Sequence, residues 1–105
     1  MRQVTENLIQ EIKDKIVENV LPLKIILFGS YAYGEPRKGS DLDLLIVKQS
    51  NLPRRKRAKE VRHLFRDYFI PMDILVYTPQ EIERFKDVKS AFIQTVLKKG
   101  RVLYG

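Results

Sequence analysis

Apolar residues recur along the chain with two different periods. Val4, Leu8, Ile12 and Ile16, with Ile9 and Val20 beside them, return every three to four positions. That spacing lines one face of a helix and predicts an amphipathic helix over about residues 3–19, closed off by Pro22. Leu23-Lys-Ile-Ile-Leu-Phe28, branched and nearly all apolar between Pro22 and Gly29, reads instead as a buried strand. Residues 29–40 are rich in turn formers, with Ser30-Tyr-Ala-Tyr33 able to make one helical turn. Asp41-Leu-Asp-Leu-Leu-Ile-Val47 reads as a second strand. A helix over about 53–67 follows, with Pro53 in its first turn and Ala58, Val61, Phe65 and Tyr68 at helical spacing. Pro71 to Tyr77 reads as a third strand. Thr78-Pro-Gln-Glu81 has a hydroxyl, a proline and a glutamate where a capping box needs them, so a helix is predicted over about 79–85. A further helix over about 88–99 ends at Gly100, and Arg101-Val-Leu-Tyr104 adds an edge strand.

Helices and strands thus alternate along the whole length, which predicts an α/β (α+β) layer protein: a small mixed sheet of three to four strands flanked by helices. Its 105 residues, with no repeat or linker, are expected to form a single domain, 1–105. Zero cysteines exclude disulfides, thiolate nucleophiles and Cys-ligated metals, and the one histidine, His63, cannot build a multi-His site. No apolar run is long enough to span a bilayer and Met1-Arg-Gln-Val-Thr-Glu lacks a signal peptide's apolar stretch, so a cytoplasmic protein is expected. Twenty Lys and Arg against thirteen Asp and Glu give a net charge of +7. An anionic partner and plain solubility account for that balance equally well.

Alternation along a strand puts Asp41, Asp43, Leu45 and Val47 on one face of the second strand, and Asp73, Leu75 and Tyr77 on one face of the third. If the two strands lie side by side, three carboxylates converge at one end of the sheet. Two like charges about 5 Å apart repel by roughly 3 kcal/mol at an effective dielectric near 20, so such a cluster calls for a cation. An oxygen-only ligand set suits Mg²⁺ or Mn²⁺, the ions used to grip nucleotide phosphates. Taken alone, an Asp-x-Asp is more often a turn cap followed by a solvent-facing residue. The segment just upstream changes that balance. A strand ends at Phe28 and is followed at once by Gly29-Ser30, where a glycine lets backbone amides approach a phosphate and a hydroxyl stands at a helix start. Glu35-Pro36 stands where a Walker A loop needs Lys-Ser/Thr, and no Gly-x-Gly-x-x-Gly follows any strand.

Leu27-Phe-Gly-Ser-Tyr-Ala-Tyr-Gly34 followed by Gly39-Ser-Asp-Leu-Asp-Leu-Leu-Ile-Val47 resembles the Gly-Ser, ten residues, Asp-x-Asp signature of the polymerase-β-like nucleotidyltransferases. The chain length is similar to that of the minimal nucleotidyltransferases, or MNT proteins, and Pro71-Met-Asp73 matches more weakly. The resemblance implies that Gly29 and Ser30 hold a triphosphate. It implies that Asp41 and Asp43 chelate two Mg²⁺ ions, with Asp73 as the third carboxylate, which completes the second metal site and assists deprotonation of the attacking hydroxyl. Many relatives carry a basic residue where Tyr33 stands, and Arg37 and Lys38 are the nearby cations that could take over its contact with phosphate. What the resemblance implies for function is transfer of AMP from ATP to a hydroxyl with release of pyrophosphate. Many similar proteins are antitoxins of HEPN–MNT toxin–antitoxin modules, which adenylylate a tyrosine of a HEPN ribonuclease toxin.

Three other readings stay open at this level. The chain can be a binding antitoxin that neutralises its partner sterically, a nucleotidyltransferase for a small molecule such as an antibiotic, or a basic RNA-binding module. Arg54-Arg-Lys-Arg-Ala-Lys-Glu-Val-Arg62, six basic residues in nine, reads as a solvated helix face or as a docking surface for an acidic partner, a nucleotide or RNA. His63 reads as a surface or half-buried residue, and the five tyrosines as core and rim residues rather than a base-stacking platform.

Overall fold

The structure, a computed structural model, describes residues 3–88 and 92–105. Thr5 starts the first helix: its backbone is extended and its hydroxyl accepts a hydrogen bond from the Leu8 amide at 3.1 Å, so α1 spans Glu6–Val20. It buries Leu8, Ile9, Ile12 and Ile16, the face the periodicity singled out, and ends on Leu21 in a left-handed turn (φ 53°) just before Pro22. β1 (Lys24–Phe28), α2 (Ser30–Tyr33) and β2 (Leu42–Val47) follow, then α3 (Arg54–His63), β3 (Met72–Tyr77), α4 (Pro79–Phe85), α5 (Phe92–Lys99) and β4 (Arg101–Tyr104).

The four strands form one mixed sheet in the order β3-β2-β1-β4. β1 runs antiparallel to both β2 and β4, while β2 and β3 are parallel. That arrangement brings the C-terminal end of β1 and the N-terminal ends of β2 and β3 to the same end of the sheet. Alternation then builds two apolar layers. Ile25, Leu27, Leu42, Leu44, Ile46, Ile74 and Val76 pack under α1 and against Val61 and Phe65. On the opposite face Ile26, Phe28, Leu45 and Tyr77 pack with Ile93 and Val96 of α5, joined at the margin by Ile82 and Phe85 of α4. A side chain at Gly100 would collide with Ile26 and with the Val96 carbonyl, so a glycine lets α5 close onto β1 before the chain turns into β4.

Two boundaries differ from those read in the sequence. The helix expected over 53–67 ends at His63, and Pro53 is its extended N-cap rather than part of its first turn. Short-range turn hydrogen bonds, Leu64 N to Val61 O and Phe65 N to Arg62 O, replace the helix beyond that point and still deliver Phe65 to the core. The helix expected over 88–99 is seen as Phe92–Lys99, and residues 89–91 lie outside the described residues. Among the described residues no helix is long and apolar enough to cross a membrane.

Candidate active site

β2 is an inner strand, so Asp43 is not the solvent-facing residue of a sheet edge. In the register of the sheet Asp43 stands opposite Phe28 of β1 and opposite Asp73 of β3. The same-face rule therefore brings Asp43 and Asp73 together at the head of the sheet, both only partly exposed. Asp41 precedes β2 and lies exposed on the turn that leads into it. β2 begins at Leu42, so the same-face expectation drawn for Asp41 along a strand from residue 41 does not apply to it. Among the described residues no three His, Cys, Asp or Glu side chains form a ready-made metal cage. The carboxylates nonetheless act on one another. Partial burial, then the charges of Asp73 and Asp41, push the Asp43 carboxyl up from an ordinary 3.8 to about 6.

Gly29 closes the site from the β1 side. Its φ of 74° and ψ of −156° belong to a region that only glycine enters freely, and a side chain placed there would overlap Oδ2 of Asp43. The turn therefore brings the Gly29 backbone against the Asp43 carboxylate. Ser30, the next residue, opens α2, where the Ala32 and Tyr33 amides bond back to the Gly29 carbonyl. Glycine, hydroxyl and two facing carboxylates thus share one end of the sheet. This donor set consists of oxygen atoms alone and carries surplus negative charge, which is the chemistry a hard divalent cation satisfies.

Arg37 and Lys38 sit differently. They are exposed on the loop before β2, where the Arg37 amide donates to Ser40 Oγ at 2.7 Å. With Tyr31, Pro36 and Pro71 they line a cavity of about 440 Å³ that none of the three carboxylates enters. Tyr33 is exposed at the end of α2.

The basic helix supplies a neighbour that sequence reading passed over. Arg62 of α3 places its guanidinium 3.9 Å from Oδ1 of Asp73 and donates to the Ile74 carbonyl at 3.5 Å. Pairing α3 with β3 was the missing step, because a run of charges does not say which member reaches across. Nor is the helix simply solvated. Arg57, nearly buried, donates to Glu81 Oε1 at 2.7 Å and to the Val76 carbonyl at 3.2 Å, and Arg54 donates to the Tyr77 hydroxyl at 2.9 Å. His63 is exposed. Tyr77 is buried in the core, whereas Tyr104 lies at the surface.

Residues 9–103 match the model of the nucleotidyltransferase domain family. Three proteins of Methanocaldococcus jannaschii, each named "Putative protein adenylyltransferase", are similar in sequence. MJ0141 is 34% identical over 73% of this chain and 74% of its own length. MJ0604 is 35% identical over 77% of each. MJ1305 is 34% identical over 65% of this chain and 46% of its own length. Among solved structures, two mutants of the toxin–antitoxin pair MntA–HpeT share the fold with a TM-score of 0.65, at 23% and 20% identity. The superpositions cover 98% and 97% of this chain and 74% of each of those chains. A mixed sheet with Gly29-Ser30 at the end of one strand, Asp43 facing Asp73 on the next two, and a family match along nearly the whole chain lead to one assignment: the chain belongs to the nucleotidyltransferase domain family and is a nucleotidyltransferase.

Proposed function

We propose that this nucleotidyltransferase is a protein adenylyltransferase that uses ATP and Mg²⁺ (Mn²⁺ being the alternative ion) to modify a tyrosine hydroxyl of a cognate HEPN ribonuclease toxin, and so serves as its antitoxin. The observation that carries the reading is the contact of the Gly29 turn with the Asp43 carboxylate, directly across from Asp73. The names of the Methanocaldococcus relatives support protein as the acceptor, and the MntA–HpeT fold likeness supports a toxin partner.

In this reading the hydroxyl oxygen attacks the α-phosphorus of ATP. The bond from that phosphorus to the bridging oxygen of the β-phosphate breaks, and pyrophosphate leaves with the electron pair. Asp41, Asp43 and Asp73 would hold the divalent ions, which would neutralise phosphate charge and stabilise the attacking and leaving oxygens. Asp73, on the edge strand β3, takes the hydroxyl proton. Gly29 and Ser30 would cradle the triphosphate through backbone amides and a hydroxyl, with Arg37 and Lys38 of the loop before β2 as the cations that offset its charge.

The test is incubation with ATP labelled at the α-phosphate, Mg²⁺ and the protein encoded by the adjacent gene. Stable label on a tyrosine of that protein, with pyrophosphate released, is the expected result. Asp41→Asn/Asp43→Asn should reduce labelling by roughly a thousandfold or more, because the ions that stabilise the transition-state charge lose their ligands. Neutralisation of the partner by the folded double variant as effectively as by the native protein would replace catalysis with steric binding.

A further inference from the structure

α3 lies alongside β3 with its direction reversed. Arg54 reaches Tyr77 at the far end of the strand, Arg57 reaches Val76, and Arg62 reaches Ile74 and Asp73 at the near end. The helix therefore runs toward the carboxylates. Five of its six lysines and arginines divide into two sets, and the sixth, Lys56, is exposed. Arg54 and Arg57 are engaged by Glu81. Arg55 and Lys59 are exposed and make no ion pair among the described residues, and Arg62 is half exposed. Arg55, Lys59 and Arg62 are four and three positions apart, so they form one stripe along the helix. Over α3 that stripe rises about 10 Å at ~1.5 Å per residue, ending where Arg62 meets Asp73.

Helix stability does not explain the start of this stripe. Arg55 sits in the first turn, where the helix dipole disfavours a cation, and the first turn holds no acidic residue to offset it. Just past the helix, on the connection that leads into β3, Phe69 is 74% exposed with a φ of 55°. An aromatic side chain pays for that backbone conformation without gaining burial. Exposed arginines and lysine on α3 and an exposed aromatic on the connection that leads from it into β3 have the composition of a protein-binding hot spot.

We propose that Arg55, Lys59 and Arg62, with Phe69 beyond them, dock an acidic segment of the acceptor protein and bring its hydroxyl to Asp73. This rests on the adenylyltransferase reading above. Protein fits better than RNA because the exposed carboxylates of Glu60 and Asp67 interrupt the basic surface, which would repel a continuous phosphate backbone, and because one aromatic offers no stacking platform.

The experiment uses the full chain and two random copolymers, poly(Glu,Tyr) and poly(Lys,Tyr), with a twelve-nucleotide uridine RNA as the third probe. Fluorescence anisotropy should show salt-sensitive binding of poly(Glu,Tyr). Arg55→Glu/Lys59→Glu should weaken that binding at least tenfold, with affinity for a fluorescent ATP analogue unchanged and Tm not lowered. In the AMP-transfer assay with poly(Glu,Tyr) the same variant should raise KM while kcat stays level. Equal binding of the two copolymers, or undiminished binding by the variant, overturns the proposal, and so does an RNA affinity that exceeds that for poly(Glu,Tyr) and falls in the variant. Copolymer binding that depends on α3 but comes with no AMP transfer to any hydroxyl keeps the dock and overturns the catalytic reading instead.

Discussion

At Asp43 two demands on one carboxylate pull against each other. It must be ionised to hold a cation, yet partial burial and the charges of Asp73 and Asp41 favour its neutral form and raise its pKa to about 6. In the unfolded chain the group titrates near its ordinary 3.8, so ionising it costs the folded state more than the unfolded one. Below about pH 4 both states are protonated and the penalty is absent; it grows through the interval up to about pH 6 and is fully present above that. Asp43→Asn should therefore stabilise the metal-free protein at pH 8 by about 1 kcal/mol, a figure already reduced for solvent screening of a partly exposed group. The gain should shrink toward zero near pH 4. Urea unfolding at the two pH values measures it, and equal effects at both would contradict this assignment. The face that Asp43 and Asp73 each take was legible in the sequence, since alternation fixes it and each stands second in its strand, but that β2 lies beside β3 was not. The contact between Gly29 and Asp43 was legible only in part: a turn after a strand suggests a glycine, but not that its missing side chain makes room for a particular carboxylate.

Among the elements, α3 and α4 depend on each other through Glu81. Burial pushes its carboxyl up, but the Thr78 amide, the Arg57 guanidinium and the nearby Arg54 prevail and hold it below the usual carboxylate range. The Thr78 amide donates to Oε1 at 2.8 Å, while the Thr78 hydroxyl accepts the Glu81 amide at 3.2 Å, completing the capping box. One side chain thus caps α4 and anchors the basic helix along the edge of β3. Glu81→Gln keeps the shape of the cap and removes the charge beside Arg57, and should cost about 2 kcal/mol through the poorly solvated guanidinium left behind. Calorimetry should show the lowered Tm, with metal and nucleotide binding retained because Glu81 lies at the opposite end of β3 from the carboxylates. A change below about 0.5 kcal/mol would show the pair to be no better than a surface salt bridge. The capping box could be read directly from Thr78-Pro-Gln-Glu81. The end of α3 could not, because the turns after His63 still bury Phe65 and half-bury Tyr68, so the apolar period outlasts the helix.

For the molecule as a whole, topology assembles the site. β1 antiparallel to β2, and β2 parallel to β3, bring the end of one strand and the beginnings of two others together. Periodicity recovered the elements and their order along the chain. It did not give the strand order, because neither the crossover through α3 nor the return of β4 to the free edge of β1 leaves a mark in hydrophobic spacing. Direction and order are what turn three scattered aspartates and a Gly-Ser pair into neighbours. Nucleotidyl transfer at this end of the sheet requires that it bind a divalent cation and a nucleotide. The most direct test is an electron paramagnetic resonance titration of Mn²⁺ at pH 7.5 with a non-hydrolysable ATP analogue, comparing the native chain with Asp43→Asn. Saturable Mn²⁺ binding in the native chain, weakened at least a hundredfold in the variant while circular dichroism stays the same, is the predicted result. Equal Mn²⁺ binding by the two proteins would contradict it.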